Sequence, residues 1–177
     1  DVCSSDLPHH LILVDEDIPG DEGFWKMNPP LRGLADRQAL IDGLLDGTID
    51  CIATDHAPHG LEEKQQSFLN APFGIVGSET AFQLIYTNFV ETGIFTLEQV
   101  IDWMAVKPAE IFGLNAGTLT IGAPADIAVF DLATAAPIDA EAFESMAVNT
   151  PFTGWTVKGK TLMTFVDGAL AWSEEAQ

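Results

Sequence analysis

Basic residues are scarce in this chain. Seven lysines and arginines stand against 27 aspartates and glutamates, a formal charge of −20 at neutral pH. Such an excess repels phosphate backbones and anionic headgroups, which excludes nucleic acid and membrane surfaces as expected partners. It also suits a protein kept soluble at high salt. Cysteine is equally rare: Cys3 and Cys51 have no CxxC spacing and are too few for a disulfide framework. A reducing compartment fits them, and the expected location is cytoplasmic. No apolar run approaches the roughly 20 residues that cross a bilayer, and no signal-like segment is visible, so the chain reads as soluble and unexported. What is abundant is apolar: 47% of the 177 residues are hydrophobic and the mean hydropathy is +0.17. Those values argue for a globular chain with one filled core, or one small domain and part of another.

Hydrophobic spacing divides the chain into two textures. "LRGLADRQALIDGLLDGT" carries apolar residues at 34, 40, 41, 44 and 45 with Gly47 beyond, which predicts an amphipathic helix closed by glycine. "IDCIAT" comes next as a short buried strand. "GSETAFQLIYTNFVETG" predicts a second helix with Ser78 as N-cap and a face of Ala81, Leu84, Ile85 and Phe89. In "TLEQVIDWMAVKPAEIFGL", Thr96 and Gln99 have capping-box spacing and Pro108 is expected to break the helix. Alternating strands and helices of this kind build parallel sheets and βα barrels. From about Gly117 the runs shorten into "GTLTIGAPADIAVFDL" and "TVKGKTLMTFVDGALAW", with Asp167-Gly168 as a hairpin turn, so a small all-β module is expected. "DLATAAPIDAEAFES" reads as a loop with at most a short helix.

Three polar stretches carry candidate chemistry. In "IATDHAPH", Asp55 ends a strand, His56 is next, and Pro58 turns the chain toward His59. In βα barrels that edge holds the active site, and carboxylate and imidazole are ligands that zinc accepts. The alternative is that Asp55 caps the next segment and both histidines face solvent. In "FWKMNPPLR" an apolar strand is expected to end at Asn28, whose amide suits substrate binding or an ordinary turn. In "NAPFGIVGSET" glycines permit close backbone approach to a ligand, or simply a loop.

Taken in order, "PHHLILVDEDI", "KMNPPLR", "DGTIDCIATDHAPH", Glu63-Lys64, "PFGIVGSETAF", "KPAEIFGL", "GTLTIGAPADIAVFDL" and "NTPFTGWTVKGK" resemble the class I dihydroorotases of the amidohydrolase superfamily. The resemblance implies the C-terminal part of a (β/α)8 barrel, with its last two strands, over residues 8–116. A β-rich subdomain of β-sandwich type is implied over 117–177. By the same resemblance Asp55 is a zinc ligand and the general base and acid. His59 binds the substrate carboxylate, Asn28 contacts substrate, and Phe73 and Gly74 touch the pyrimidine ring. His9, His10 and His56 match no ligand and are taken as structural. The implied reaction is reversible closure of N-carbamoyl-L-aspartate to L-dihydroorotate in pyrimidine synthesis, with one or two Zn2+ ions as cofactor.

The pattern is incomplete. The family's H-x-H pair and its other metal ligands have no counterpart here, so Asp55 stands alone where zinc needs about three protein ligands. The piece itself is therefore expected to be inactive. "DVCSSDL", residues 1–7, does not continue the pattern and reads like the translation of a sequencing-library adapter, with native sequence expected from near Pro8. Two alternatives accompany the resemblance. One is another cyclic amidohydrolase, such as a hydantoinase or allantoinase; the other is a non-catalytic scaffold partner of aspartate transcarbamoylase. A homodimer and a transcarbamoylase complex are the macromolecular partners considered.

Overall fold

Strand and helix alternate through the first part of the chain, and the computed structural model, which describes residues 3–176, builds them into an α/β arrangement. Two compact units form, Ser4–Phe82 with Pro137–Thr156, and Gln83–Ala136 with Val157 onward. In the first, β1 (Ser5–Asp6) pairs in parallel with β2 (Cys51–Ile52). β1 falls in the segment suspected of foreign origin, of which Asp1 and Val2 lie outside the described residues. Between the two strands run α1 (Pro8–Ile12) and α2 (Leu34–Asp46), as a parallel crossover requires.

α2 ends as expected at Gly47, whose φ of 83° is the left-handed conformation that glycine adopts without strain. Its buried arc is narrower than the apolar set suggests. Ile41 and Leu44 are buried, whereas Leu34 and Leu45 are 56% and 46% exposed. The arc is turned toward Leu44 and Gly43, which leaves Leu45, a step of about 100° further round, on the solvent side. The strand expected before Asn28 does not form. Gly23–Trp25 make a 3-10 turn, and residues 26–28 run irregularly to a cis Asn28–Pro29 peptide. The Lys26 carbonyl is taken by the Gly74 amide at 3.0 Å and the Lys64 ammonium at 3.0 Å, so loop and side-chain donors replace a β ladder. After β2, α3 (Leu61–Lys64) is a single turn.

α4 (Ala81–Ile85) continues into a wider π-type segment, Tyr86–Val90, and Ala81, Leu84, Ile85 and Phe89 are all buried in agreement with their spacing. Ser78 is not its cap: the Ala81 amide bonds the Gly77 carbonyl at 3.0 Å, and the Ser78 hydroxyl is turned to His56. α5 (Leu97–Ile101) begins with the expected capping box. Pro108 does not interrupt the helical path beyond α5. Asp102–Val106 widens into a π-type turn and α6 (Lys107–Phe112) starts afresh, which puts Pro108 in a first turn where its missing N–H leaves no bond unmade. The Phe89 and Phe95 rings stack with centroids 4.7 Å apart, and Trp103 meets Phe95 edge-to-face at 4.9 Å, as the aromatic core of this unit.

Beyond it come β3 (Ile127–Asp131), a short pair of β4 (Ala136–Pro137) and β5 (Thr156–Val157), then β6 (Lys160–Val166) and β7 (Ala169–Ser173). β3, β6 and β7 form an antiparallel sheet in the order β3-β6-β7. The β6–β7 turn is Asp167-Gly168 with φ of 49° and 77°, the paired positive values of a two-residue hairpin. Residues 117–126 are irregular, with a turn at 121–122, rather than strand, and the Ala-rich stretch expected as a loop contributes β4 to the pairing with β5 besides one 3-10 turn, Ala140–Ala142. Among the described residues no helix is long and apolar enough to cross a membrane.

Candidate active site

The strand that carries the site is only two residues long, and the chain leaves it through a turn rather than a helix. Asp55 adopts φ 46°, a left-handed conformation tolerated by aspartate, and its exposed carboxylate has no hydrogen bond or ion pair among the described residues. It lines a cleft of about 650 Å³ together with Asp6, His10, Pro29, Arg32 and Arg37. Within that cleft the His10 ring bridges the Asp6 carboxylate, at 3.2 Å from Nδ1, and the Pro29 carbonyl, at 2.9 Å from Nε2. His9, its neighbour in α1, is 3% exposed. Burial first, and the neighbouring His10 second, push the His9 imidazole down to about 3, so it is neutral throughout the physiological range.

His56 has one ring nitrogen taken up by the loop before α4. Its Nδ1 accepts from the amides of Gly77 at 3.2 Å and Ser78 at 3.3 Å and lies 2.9 Å from the Ser78 hydroxyl. With two N–H groups directed at Nδ1, the ring proton resides on Nε2. The residue also makes a parallel bridge to Ile75, tying the turn after Asp55 to the loop before α4. These contacts give His56 a structural task in the turn.

His59, Phe73 and Gly74 come together as one cluster. His59 Nε2 meets the Phe73 carbonyl at 2.8 Å, so that nitrogen donates and Nδ1, 3.9 Å from Glu63, is the freer one. The Phe73 ring is exposed, with the Lys26 ammonium 4.5 Å from its centroid. Gly74 has φ 110°, and a Cβ there would stand 2.4 Å from that of Ala57. At Gly77 an added Cβ would stand 2.5 Å from the Thr54 carbonyl oxygen. These glycines therefore serve close approach between two segments of this chain, the 54–59 turn and the 72–77 loop. Asn28 is exposed at the mouth of the neighbouring loop, two residues beyond the Lys26 carbonyl that bonds Gly74. Asp55 lines the cleft; His59, Phe73 and Gly74 are not among its lining residues.

Two further residues organise the cluster. Lys64, wholly buried at 0% exposure, donates to the carbonyls of Lys26 at 3.0 Å, Pro72 at 3.0 Å and Gly74 at 2.8 Å. Three N–H bonds meet three acceptors, which is why a cation survives there. Burial, aided by Lys26, lowers its ammonium to about 8, still protonated near neutrality. Asn149, also 0% exposed, accepts from the His59 amide at 3.0 Å and donates to the carbonyls of Ala57 at 3.0 Å and Gly74 at 3.2 Å. No spacing in the sequence marks either role, since each side chain acts on backbone atoms distant along the chain.

Metal binding has a partial basis here. Among the described residues no group of three histidine, cysteine, aspartate or glutamate side chains is placed to hold an ion. His10 and His59 each spend a ring nitrogen on a backbone carbonyl, and His56 spends one on backbone amides. The residues present do not make a zinc site; the Asp55 and Asp36 carboxylates line the cleft without a hydrogen-bond or ion-pair partner among the described residues, and Asp55 is the one the sequence pattern singles out.

A family model described as "Amidohydrolase family" matches residues 31–171. A dihydroorotase of Bacillus caldolyticus is 62% identical over 173 residues, covering 98% of this chain and 40% of the relative. One from Halalkalibacterium halodurans is 59% identical over 174 residues, covering 98% and 41%. Among solved structures, an L-hydantoinase (dihydropyrimidinase) from Arthrobacter aurescens superposes with a TM-score of 0.89 at 31% identity, over 98% of this chain and 40% of that one. A D-hydantoinase from a Thermus species gives 0.86 at 28% identity, over 96% and 39%. The chain spans about 40% of the length of the relatives it matches.

Proposed function

The chain belongs to the amidohydrolase family, and on that premise we propose that it forms the C-terminal part of a dihydroorotase. The observation that carries the reading is identity near 60% over almost the whole chain to proteins named dihydroorotase, against 31% to a hydantoinase of like fold. On this reading residues 8–116 supply the last two strands of a (β/α)8 barrel with their helices, and 117–177 a β-rich subdomain. The full-length protein hydrolyses L-dihydroorotate to N-carbamoyl-L-aspartate and closes it again.

Each residue has a task that its geometry suits. Asp55, held outward by its left-handed turn and free of partners, takes a proton from the attacking water. It then delivers that proton to the ring nitrogen as the amide bond breaks. His59 anchors the substrate carboxylate, and Asn28 offers amide donors and an acceptor beside it. The exposed Phe73 ring and the Gly74 backbone pack against the pyrimidine ring. Zinc, as one or two ions, is the proposed cofactor of the full-length protein. This chain would contribute Asp55 to it and cannot complete the site.

A hydantoinase activity is the second reading, favoured by the fold similarity to the two hydantoinases. Purified full-length protein separates the two: turnover of dihydroorotate well above that of hydantoin is expected, and the reverse order would overturn the proposal. In that protein Asp55→Asn, which keeps the left-handed turn accessible, should lower turnover by about a hundredfold or more. Near-native turnover in the variant would remove Asp55 from its assigned role. The 177-residue chain by itself should retain no stoichiometric zinc after dialysis.

A further inference from the structure

Two backbone segments that carry proposed substrate contacts meet at one side chain. Lys64 Nζ reaches the Lys26 carbonyl, two residues before Asn28, and the Pro72 and Gly74 carbonyls on either side of Phe73. The Gly74 amide closes the same ring by bonding the Lys26 carbonyl at 3.0 Å, and Asn149 joins the Gly74 carbonyl to the His59 amide. We propose that Lys64 is a positioning residue for the pyrimidine-ring pocket, its buried ammonium fixing the Asn28 segment and the Phe73-Gly74 loop at a set separation. The proposal rests on the dihydroorotase reading for the identity of the substrate, but not for the contacts themselves.

The chemistry favours an ammonium over other groups. A carbonyl trio pointing inward needs three donors converging from one point, which a tetrahedral –NH3+ supplies and a hydroxyl or amide does not. Carbonyl dipoles left facing one another repel, so removing the cation spreads the segments rather than leaving them in place. Lys64 makes no hydrogen bond to Asp55, His10 or Arg32 and is not among the residues lining their cleft, so its loss should disturb ring binding and leave the proton-transferring carboxylate where it is. Lys26 strengthens the arrangement from the outer side, donating to the Leu69 carbonyl at 2.7 Å with its ammonium over the Phe73 ring.

The test uses the full-length protein carrying Lys64→Met, which keeps length and loses all donors, and Lys64→Gln, which keeps two N–H bonds. Expected for Lys64→Met is a rise in KM for dihydroorotate of about tenfold or more, with kcat within about threefold and bound metal unchanged. Lys64→Gln should fall between that variant and the wild type. Amide hydrogen exchange should quicken at residues 72–76, with the Phe89–Trp103 core helices unaffected. A structural residue remote from the pocket would shift melting without splitting KM from kcat. KM within about twofold of wild type in both variants overturns the proposal, as does unchanged exchange at 72–76. If Lys64→Met does not fold, Lys64→Gln decides. If the wild-type protein does not turn over dihydroorotate, the functional reading fails while the exchange measurement still decides the positioning.

Discussion

At residue scale the site separates into groups that are free and groups that are held. Asp55 is free, whereas His10, His56 and His59 each have a ring nitrogen committed to backbone. His9 is held differently, by burial, with its folded value near 3 against 6.5 in an ordinary setting. Between those two pH values the unfolded chain binds a proton that the folded chain refuses, so stability falls as pH drops from 6.5 toward 3. His9→Gln should flatten this acid slope in denaturant titrations at successive pH values, and an unchanged slope would assign it to other groups. The motif around Asp55 was legible because type and order of residues survive in sequence. Lys64 was visible only as half of the matching Glu63-Lys64 pair and Asn149 only within a longer matching stretch, because a side chain bonding carbonyls up to 92 residues away leaves no local spacing.

At the scale of elements, local chemistry was readable where it acts within a few residues. The Thr96–Gln99 box formed, with the Gln99 amide 3.2 Å from the Thr96 hydroxyl and the Thr96 amide 2.8 Å from the Gln99 side-chain oxygen. Thr96→Ala should cost about 1 kcal/mol in urea denaturation, and Thr96→Ser little. The Asp167-Gly168 hairpin and the Gly47 cap likewise arise from glycine and aspartate at positive φ. The strand expected through Lys26 failed because its hydrogen-bond partners were supplied from residues 64 and 74. Ser78 lost its capping role to a longer-range partner, His56. Pro108 was absorbed because the preceding turn widened, which apolar periodicity does not register.

Across the whole molecule the charge imbalance sets the terms. Of the seven basic residues, Lys26, Arg37 and Lys64 donate to backbone carbonyls, which leaves few to neutralise carboxylates. Ion pairs join Lys158 to Glu91, Lys160 to Glu174 and Lys107 to Glu110, all partly exposed. Self-repulsion from a charge of −20 is therefore little relieved internally. Raising sodium chloride from about 0.1 to 1 M shortens the Debye length from roughly 10 to 3 Å and should raise the melting temperature by a few degrees. A lower melting temperature at high salt would show that specific pairs outweigh the general repulsion.

The Lys64 junction also bears on how such a pocket can be altered. Because one cation fastens the backbone of two separate loops to the end of a short helix, the pocket wall is not modular. Grafting a hydantoinase-type loop over residues 70–76 without matching changes at residues 23–28 would leave a buried cation short of acceptors, so a change of substrate preference must remodel these stretches jointly.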